Sequence, residues 1–386
     1  MLSLASNISA TQAVEAKYSA SFGGTDDFID FGNVNNLGSG DFSFSFWVKA
    51  SDVTSNYLLS KREDNNNRWY IRTEGNDRVQ FYAVKSGVDI MTATSSSSGE
   101  LSANVWNHVV IACDRSDTST GLKFYINSQL ENSRPASATD IDNTGDFYIG
   151  RFSTNYAKDG TFLEEIGIFN VALDANAVTA IYNGGSPLNL KFDQGNYNSS
   201  SALQAYYRMG DGLFDDKANG IIHDQDNPGF GSEIVTGNNA TFDGANDWIA
   251  YNPSGTTGIS TTGGVLQVTL SGAGDTIDSG AKLEVTSSLT AGKVYKVKAD
   301  IWLGTETETS GWRIYLGGVD NAITLSSSQT TFVKYITITD TSDLLIYNTD
   351  VDSSTGTFFI DNVSVKELNG NPGVTSGGVT FSSDTP

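Results

Sequence analysis

The chain has one cysteine (Cys113), two histidines (His108 and His223) and six prolines in 386 residues. One thiol excludes an intrachain disulfide, so any fold must be held non-covalently. No Cys/His set has zinc spacing, and no Ser/His/Asp arrangement for nucleophilic catalysis is present. Basic residues are scarce, 23 Lys and Arg against 45 Asp and Glu, for a formal net charge of −22. A field of that sign repels phosphate backbones, which argues against nucleic-acid partners and favours divalent cations. No stretch approaches the roughly 18 apolar residues of a membrane helix. The first residues lack the basic region and apolar run of a secretory leader, so the expectation is a protein without membrane insertion or a Sec signal.

What is plentiful points to β-structure. Forty glycines and 11% aromatics, among many Ser, Thr and Asn, suit short strands joined by tight turns. The length suggests two domains. The clearest strand is DFSFSFWVKA. Phe42, Phe44, Phe46 and Val48 face one way, and Ser43, Ser45, Trp47 and Lys49 face the other, the period-two pattern of a half-buried strand. Further strands are expected at 57–61, 68–73, 79–84, 106–114, 122–130, 147–152 and 162–170. In DGTFLEEIGIFNVALDANAVTAIYNGG, Asp174 is an N-cap, Val178, Ile181 and Tyr182 share a helical face, and Gly184 supplies a left-handed stop. A second strand series runs from 249 to 366. In it Tyr295, Val297, Ala299, Ile301 and Leu303 form a buried face opposite Lys296, Lys298, Asp300 and Trp302. The fold expectation is all-β: two tandem jelly-roll β-sandwich domains with extended terminal segments. The boundaries read as a 1–17 arm, a first sandwich at 18–186, a joining region at 187–231, a second sandwich at 232–368 and a 369–386 tail.

The closing segment, through Gly160, Glu164, Glu165, Asn170, Ala172, Leu173, Tyr182, Asn183 and Gly184, resembles laminin-G-like, concanavalin A-type jelly rolls. Trp106, His108 and Val109 followed by LKFYINSQL carry a second part of the resemblance. The later module is similar to carbohydrate-binding jelly rolls of galactose-binding-like fold. It matches at Asn239, Phe242, Asp243, Gly244 and Trp248, at Gly263 to Leu266, and at Phe359 to Val365. Both families often hold calcium at turns, and the resemblance implies Asp26, Asp27 and Asp159 in the first module and Asp243 with Asp361 in the second as candidate ligands. The alternative is that these Asp residues simply make turns.

Related folds include glycosidases that place two carboxylates roughly 5 Å apart. Glu164 and Glu165 are adjacent on a strand and are expected to point to opposite faces, so no catalytic pair is expected and the chain reads as a non-enzyme. Glycan binding needs outward aromatics beside polar groups. Tyr70 and Arg72 lie opposite Trp69 and Ile71, Tyr82 lies opposite Phe81, and Trp302 lies beside Lys298 on the charged face. These five are the candidate glycan contacts; equally, they read as covering neighbouring loops or a partner subunit. Trp47, Trp106 and Trp248 read as packing residues, and His108 as a structural hydrogen-bonder.

The two modules and the short GNPG-bearing tail resemble structural proteins of marine tailed phages. That implies a virion component, a capsid decoration protein or a head or tail fibre, made in the host cytoplasm. It would form homo-oligomers, contact other virion proteins through its terminal arms and hold host-surface glycans. The alternative is a secreted or cell-surface carbohydrate-binding protein.

Overall fold

The computed structural model describes residues 16–94, 101–252, 256–271, 278–349 and 355–386. It is all-β apart from the helix Ala175–Tyr182 and isolated helical turns. No helix among the described residues is long and apolar enough to cross a membrane. The chain forms two units: 1–229 together with 370–386, and Phe230–Asn369. Residues 1–15 of the expected arm lie outside the described residues.

Among the described residues the first unit has one two-stranded hairpin and two large sheets. One runs in the order Gln129–Arg134, Leu122–Ile126, Asn107–Cys113, Phe42–Ala50, Thr161–Phe169, Ser19–Phe22 and Thr380–Ser382, with Leu203–Tyr207 also pairing with Thr161–Phe169. The other runs Ile221–Ile222, Gly373–Ser376, Phe28–Asp30, Asp146–Ile149, Tyr57–Arg62, Arg68–Glu74, Arg78–Lys85 and Val88–Thr94. Alternation sends Phe42, Phe44, Phe46 and Val48 inward against Trp69, Phe81 and Phe147. Ring centroids lie 5.2 Å apart for Phe44 and Trp69 and 5.4 Å apart for Phe42 and Phe81.

The opposite face of Phe42–Ala50 is not wet. Ala177, Val178 and Ile181 of the helix, with Leu188, Leu190, Tyr197 and Tyr206 from the following segment, form a second apolar cluster over Val110, Ala112 and Phe169. Trp47 stacks on Tyr182 at 5.8 Å and contacts His108 at 4.9 Å. Ser43 donates to Val171 O at 2.7 Å. This first sheet is covered on both faces; the second is not covered by a helix, and we call it the open sheet.

Three local expectations change. The helix begins as read, Asp174 Oδ1 accepting the Ala177 N–H at 2.8 Å, but Asn183, at φ 47°, makes the first left-handed residue, one before Gly184. The strand expected at 122–130 is a hairpin, because Asn127 and Ser128 take φ of 50° and 68° and reverse the chain. Residues 370–386, expected as a tail flexible or docked elsewhere, are docked in the first unit. Thr380–Ser382 pairs with Ser19–Phe22, and Gly373–Ser376 lies between Phe28–Asp30 and Ile221–Ile222. These strands are short, and their partners are more than 150 residues away, so no local pattern announces them.

Asp27 anchors this return. Its carboxylate accepts the Gly23 N–H at 2.5 Å and the Gly378 N–H, and the residue is 3% exposed. Asp27→Ala is expected to cost about 3 kcal/mol, since two charge-assisted bonds lose their acceptor. Urea denaturation of the full chain, with and without calcium, checks this; the loss should be the same in both.

The second unit also has two sheets: Ile249–Tyr251, Ser279–Leu283, Leu344–Asn348, Trp312–Leu316, Val319–Ile323; and Thr256–Thr262, Val265–Ser271, Thr355–Glu367, Val294–Leu303, Thr330–Thr337. Tyr295, Val297, Ala299, Ile301 and Leu303 enter its core with Trp312, Ile346 and Phe358.

Candidate functional site

The outward face of the open sheet gathers rings and guanidinium groups. The register places Asp30, Tyr148, Ser60, Tyr70, Tyr82 and Thr92 side by side in one row across six strands. Flanking rows bring Tyr57 opposite Arg72, Arg72 opposite Gln80, and Arg62 opposite Arg68. The hairpin formed by Arg151–Phe152 and Asn155–Tyr156 carries Phe152 onto Tyr57, stacked at 5.0 Å, and onto the edge of Tyr70 at 4.7 Å. Arg151 lies over Phe28 at 4.6 Å and Tyr148 at 4.8 Å; Arg68 lies over Tyr82 at 5.6 Å; Arg72 lies over Tyr70 at 5.5 Å. Five of the nine arginines in the chain (62, 68, 72, 78 and 151) are on this face. Glu74 pairs with Arg72 and Arg78 at 3.4 and 3.0 Å, so the face carries both signs of charge.

Of the three residues read from sequence here, the structure brings all together but gives them different parts. Tyr70 is only 8% exposed, walled by Tyr57, Tyr82 and Phe152, so it is floor rather than platform. Burial pushes its phenol up to about 12. Tyr82 is half-buried, stacks on Tyr70 at 5.1 Å and donates its hydroxyl to Asp89 at 2.5 Å. Burial, then that bond, raises its pKa. Arg72 is held by Gln80 Oε1 at 2.7 Å and the Tyr57 hydroxyl at 3.3 Å. Period-two counting from Tyr70 would have added Arg68. Phe152 carried no such signal, because a turn at Ser153, φ 58°, folds it back over the sheet.

Trp302 and Lys298 belong to the second unit. Trp302 is half-buried and stacks on Phe359 at 5.3 Å; Lys298 is exposed, opposite Val333 and Ser364.

The calcium sets fare differently from their expectation. Asp27 faces backbone amides, as above, while Asp26 is exposed and takes only the neighbouring Thr25 hydroxyl at 3.1 Å. Asp159 is exposed, and its backbone amide lies against Gly24. Asp243 and Asp361 are brought within electrostatic reach of each other and of Asp300, and burial first, then these neighbours, raise the Asp361 pKa. Asp300 already accepts from Asn362 at 2.9 Å. Among the described residues no group of three or more His, Cys, Asp or Glu converges as a metal site.

The Glu164 and Glu165 reading is corrected outright. The pairing of Thr161–Phe169 with Phe42–Ala50 slips between Glu164 and Gly167, and Glu165 takes φ 49°. This bulge turns both side chains to the same region, where they are 0% and 3% exposed. Glu165 accepts from Arg208 Nε at 2.9 Å and from the Tyr206 hydroxyl. Burial and then the neighbouring Glu165 push the Glu164 carboxyl well up, and burial raises Glu165 to about 7 against the pull of Arg208. The two carboxyls lie together in one enclosure, where Glu165 is bound to chain partners and neither Glu164 oxygen has a hydrogen-bond partner among the described residues. His108, fully buried and bonded through Nε2 to Ser45 Oγ at 2.9 Å, is held neutral by burial, its pKa lowered to about 3.

Residues 22–179 match the family model described as the concanavalin A-like lectin/glucanases superfamily. A native heptameric SAP-like pentraxin from Limulus polyphemus is similar at 15% identity, over 44% of this chain and 84% of that one, with a TM-score of 0.35. Domain 4 of an extracellular arabinanase from Geobacillus stearothermophilus, solved with arabinotriose, is similar at 18% identity, over 42% and 76%, with a TM-score of 0.33. A sialidase carbohydrate-binding module from Ruminococcus gnavus, bound to α2,3-sialyllactose, is similar at 12% identity, over 43% and 97%, with a TM-score of 0.35. No curated protein matches the chain. Residues 22–179 of the first unit thus have a concanavalin A-like jelly-roll fold.

Proposed function

We propose that the protein is a non-catalytic glycan-binding protein and that the outward face of the open sheet is a recognition surface. The observation that carries this is the row of rings from Tyr148 to Tyr82 with Arg68, Arg72 and Arg151 laid over it. Ring faces and edges take the C–H side of a sugar, and guanidinium groups donate to its hydroxyls or carboxylates. Supporting a binding rather than a hydrolytic role, the Glu164 and Glu165 carboxyls are enclosed, and Glu165 is engaged by Arg208 and Tyr206. The test is a glycan array probed with the full chain. At least one glycan class should be retained, and Tyr82→Ala should weaken it about tenfold, the loss of one aromatic contact of ~1.4 kcal/mol. Its melting temperature should be unchanged, since Tyr82 is half-buried. A blank array overturns the proposal.

Display on a virion is the finer proposal, supported by the resemblance to tailed-phage proteins. In that setting many copies would turn weak contacts into avidity. Mass spectrometry of purified particles tests it, and absence of the chain from them would leave the secreted or cell-surface setting.

A further inference from the structure

The second unit has an outward sheet face of its own, apart from Trp302 and Lys298. Register aligns Tyr251, Gly280, Tyr347 and Arg313 in one row, and Ile249, Lys282, Leu345, Tyr315 and Asp320 in the next. Between the rows is a pocket of about 230 Å³ lined by Tyr251, Lys282, Tyr315, Asp343, Leu345 and Tyr347. Gly280 makes it possible. A Cβ there would come within 2.2 Å of Ile346 O and 2.6 Å of Tyr347 Cα, and the bare position lets Tyr251 and Tyr347 meet edge to face at 5.3 Å. Leu345 and Tyr347, 8% and 5% exposed, form the floor; Tyr251 and Tyr315 are half-buried walls. Tyr347 is fixed by donating its hydroxyl to Asp320 at 2.8 Å.

The polar side of the pocket is an ion pair, Lys282 Nζ to Asp343 Oδ2 at 2.5 Å. The other oxygen, Asp343 Oδ1, is buried without a hydrogen-bond partner among the described residues. A buried carboxylate oxygen without a donor is costly, and a ligand hydroxyl reaching Asp343 from the pocket would supply one. The pair then offers an acceptor and an ammonium donor side by side. Two vicinal hydroxyls fit that demand, one donating to Asp343 and one accepting from Lys282. The apolar face of the same ring lies on Tyr251 and Tyr315. Asp278, Asp320 and Asp343 outnumber Lys282 and Arg313 around this face, which disfavours an anionic ligand.

From this we infer a second binding site: the Tyr251, Tyr315, Tyr347 and Lys282–Asp343 pocket takes one ring of a neutral glycan, gripping a vicinal diol. The inference stands on the geometry of the second unit and not on the open-sheet site.

The experiment titrates the full chain with neutral oligosaccharides of glucose, xylose, galactose and mannose and with an oligogalacturonide as the acidic probe, by calorimetry. A neutral probe should bind. Tyr315→Ala and, separately, Lys282→Gln should each weaken it about tenfold or more, while Tyr82→Ala leaves it unchanged. Both variants sit at half-buried positions, and unchanged thermal melting confirms their folding. Should Tyr315→Ala misfold, Lys282→Gln decides. The inference is overturned if no neutral probe binds, if only the oligogalacturonide binds, or if neutral binding survives both second-unit changes. Neutral binding lost in Tyr82→Ala alone would keep the open-sheet reading and end this one.

Discussion

A chain ending at residue 369 is expected to lose the cooperative folding of its first unit. The deleted strands are ladder members of both sheets. Without Thr380–Ser382, Ser19–Phe22 becomes an open edge, and without Gly373–Ser376, Phe28–Asp30 loses one neighbour and Ile221–Ile222 its only strand partner among the described residues. Val379 and Phe381 leave the core surface. Asp27 loses the Gly378 N–H, while Lys49 and Trp106 Nε1 lose Asp384, which holds them at 2.5 and 2.9 Å. Each lost backbone bond or half-buried ring is worth only about 1 kcal/mol, but a domain is stable by only about 5–15 kcal/mol, and here some ten such contacts go together. The second unit retains every residue from 230 to 369. Calorimetry should therefore show one transition where the intact chain shows the contribution of both units, and limited proteolysis should digest the first unit. A truncated chain that melts like the intact one would refute the closing role of these strands.

The second large effect is centred on the enclosed carboxyl pair. Arg208→Met removes the cation at 2.9 Å from Glu165. Breaking a buried pair from one side typically costs about 3–5 kcal/mol, and the cost should be greatest at pH 8, where the carboxyl left behind has most to gain from ionising. Glu164→Gln should do the reverse. Both acids are raised above their unfolded value of 4.5, Glu165 to about 7 and Glu164 further, so the folded state binds more protons than the unfolded one. Stability from this pair is fully present below about pH 4.5 and is lost as pH rises through 7 and beyond. For Glu165 alone the span amounts to roughly 3 kcal/mol at 1.4 kcal/mol per pKa unit. Glu164→Gln keeps the shape of the buried side chain and removes one ionisation. It should melt with the wild-type chain at pH 4.5 and above it at pH 8. Melting curves across that range check this, and a difference independent of pH would mean that ionisation of Glu164 does not limit stability.

Much of the architecture was legible because alternation is local. Phe42 to Val48 and Tyr295 to Leu303 each declare a core-facing side within ten residues, and Asp174 declares a helix start. Covering was less legible. Ser43 and Ser45 read as the wet side of the strand because nothing near them in the chain shows that a helix more than 120 residues later lies on that side. On the open sheet, Tyr70, Arg72 and Tyr82 were visible as a set, since register preserves the parity counted along each strand. Their unequal exposure was not, because Phe152 reaches Tyr70 through a turn whose left-handed residue is a serine. The carboxyl pair was misread for a related reason: counting by two assumes an unbroken ladder, and a bulge at Glu165 adds one residue and reverses the parity.

By itself the sequence determined an all-β chain of two sandwiches, the inward face of each long strand and the acidity that makes an arginine-rich face unusual. Only the tertiary structure decided that residues 370–386 return to complete the first unit, that Glu164 and Glu165 share one enclosure, and that three tyrosines and an ion pair from separate strands line a pocket. The division has one cause. Side-chain direction along a strand follows from bonded geometry over a few residues, whereas which strands become neighbours depends on contacts between segments hundreds of residues apart.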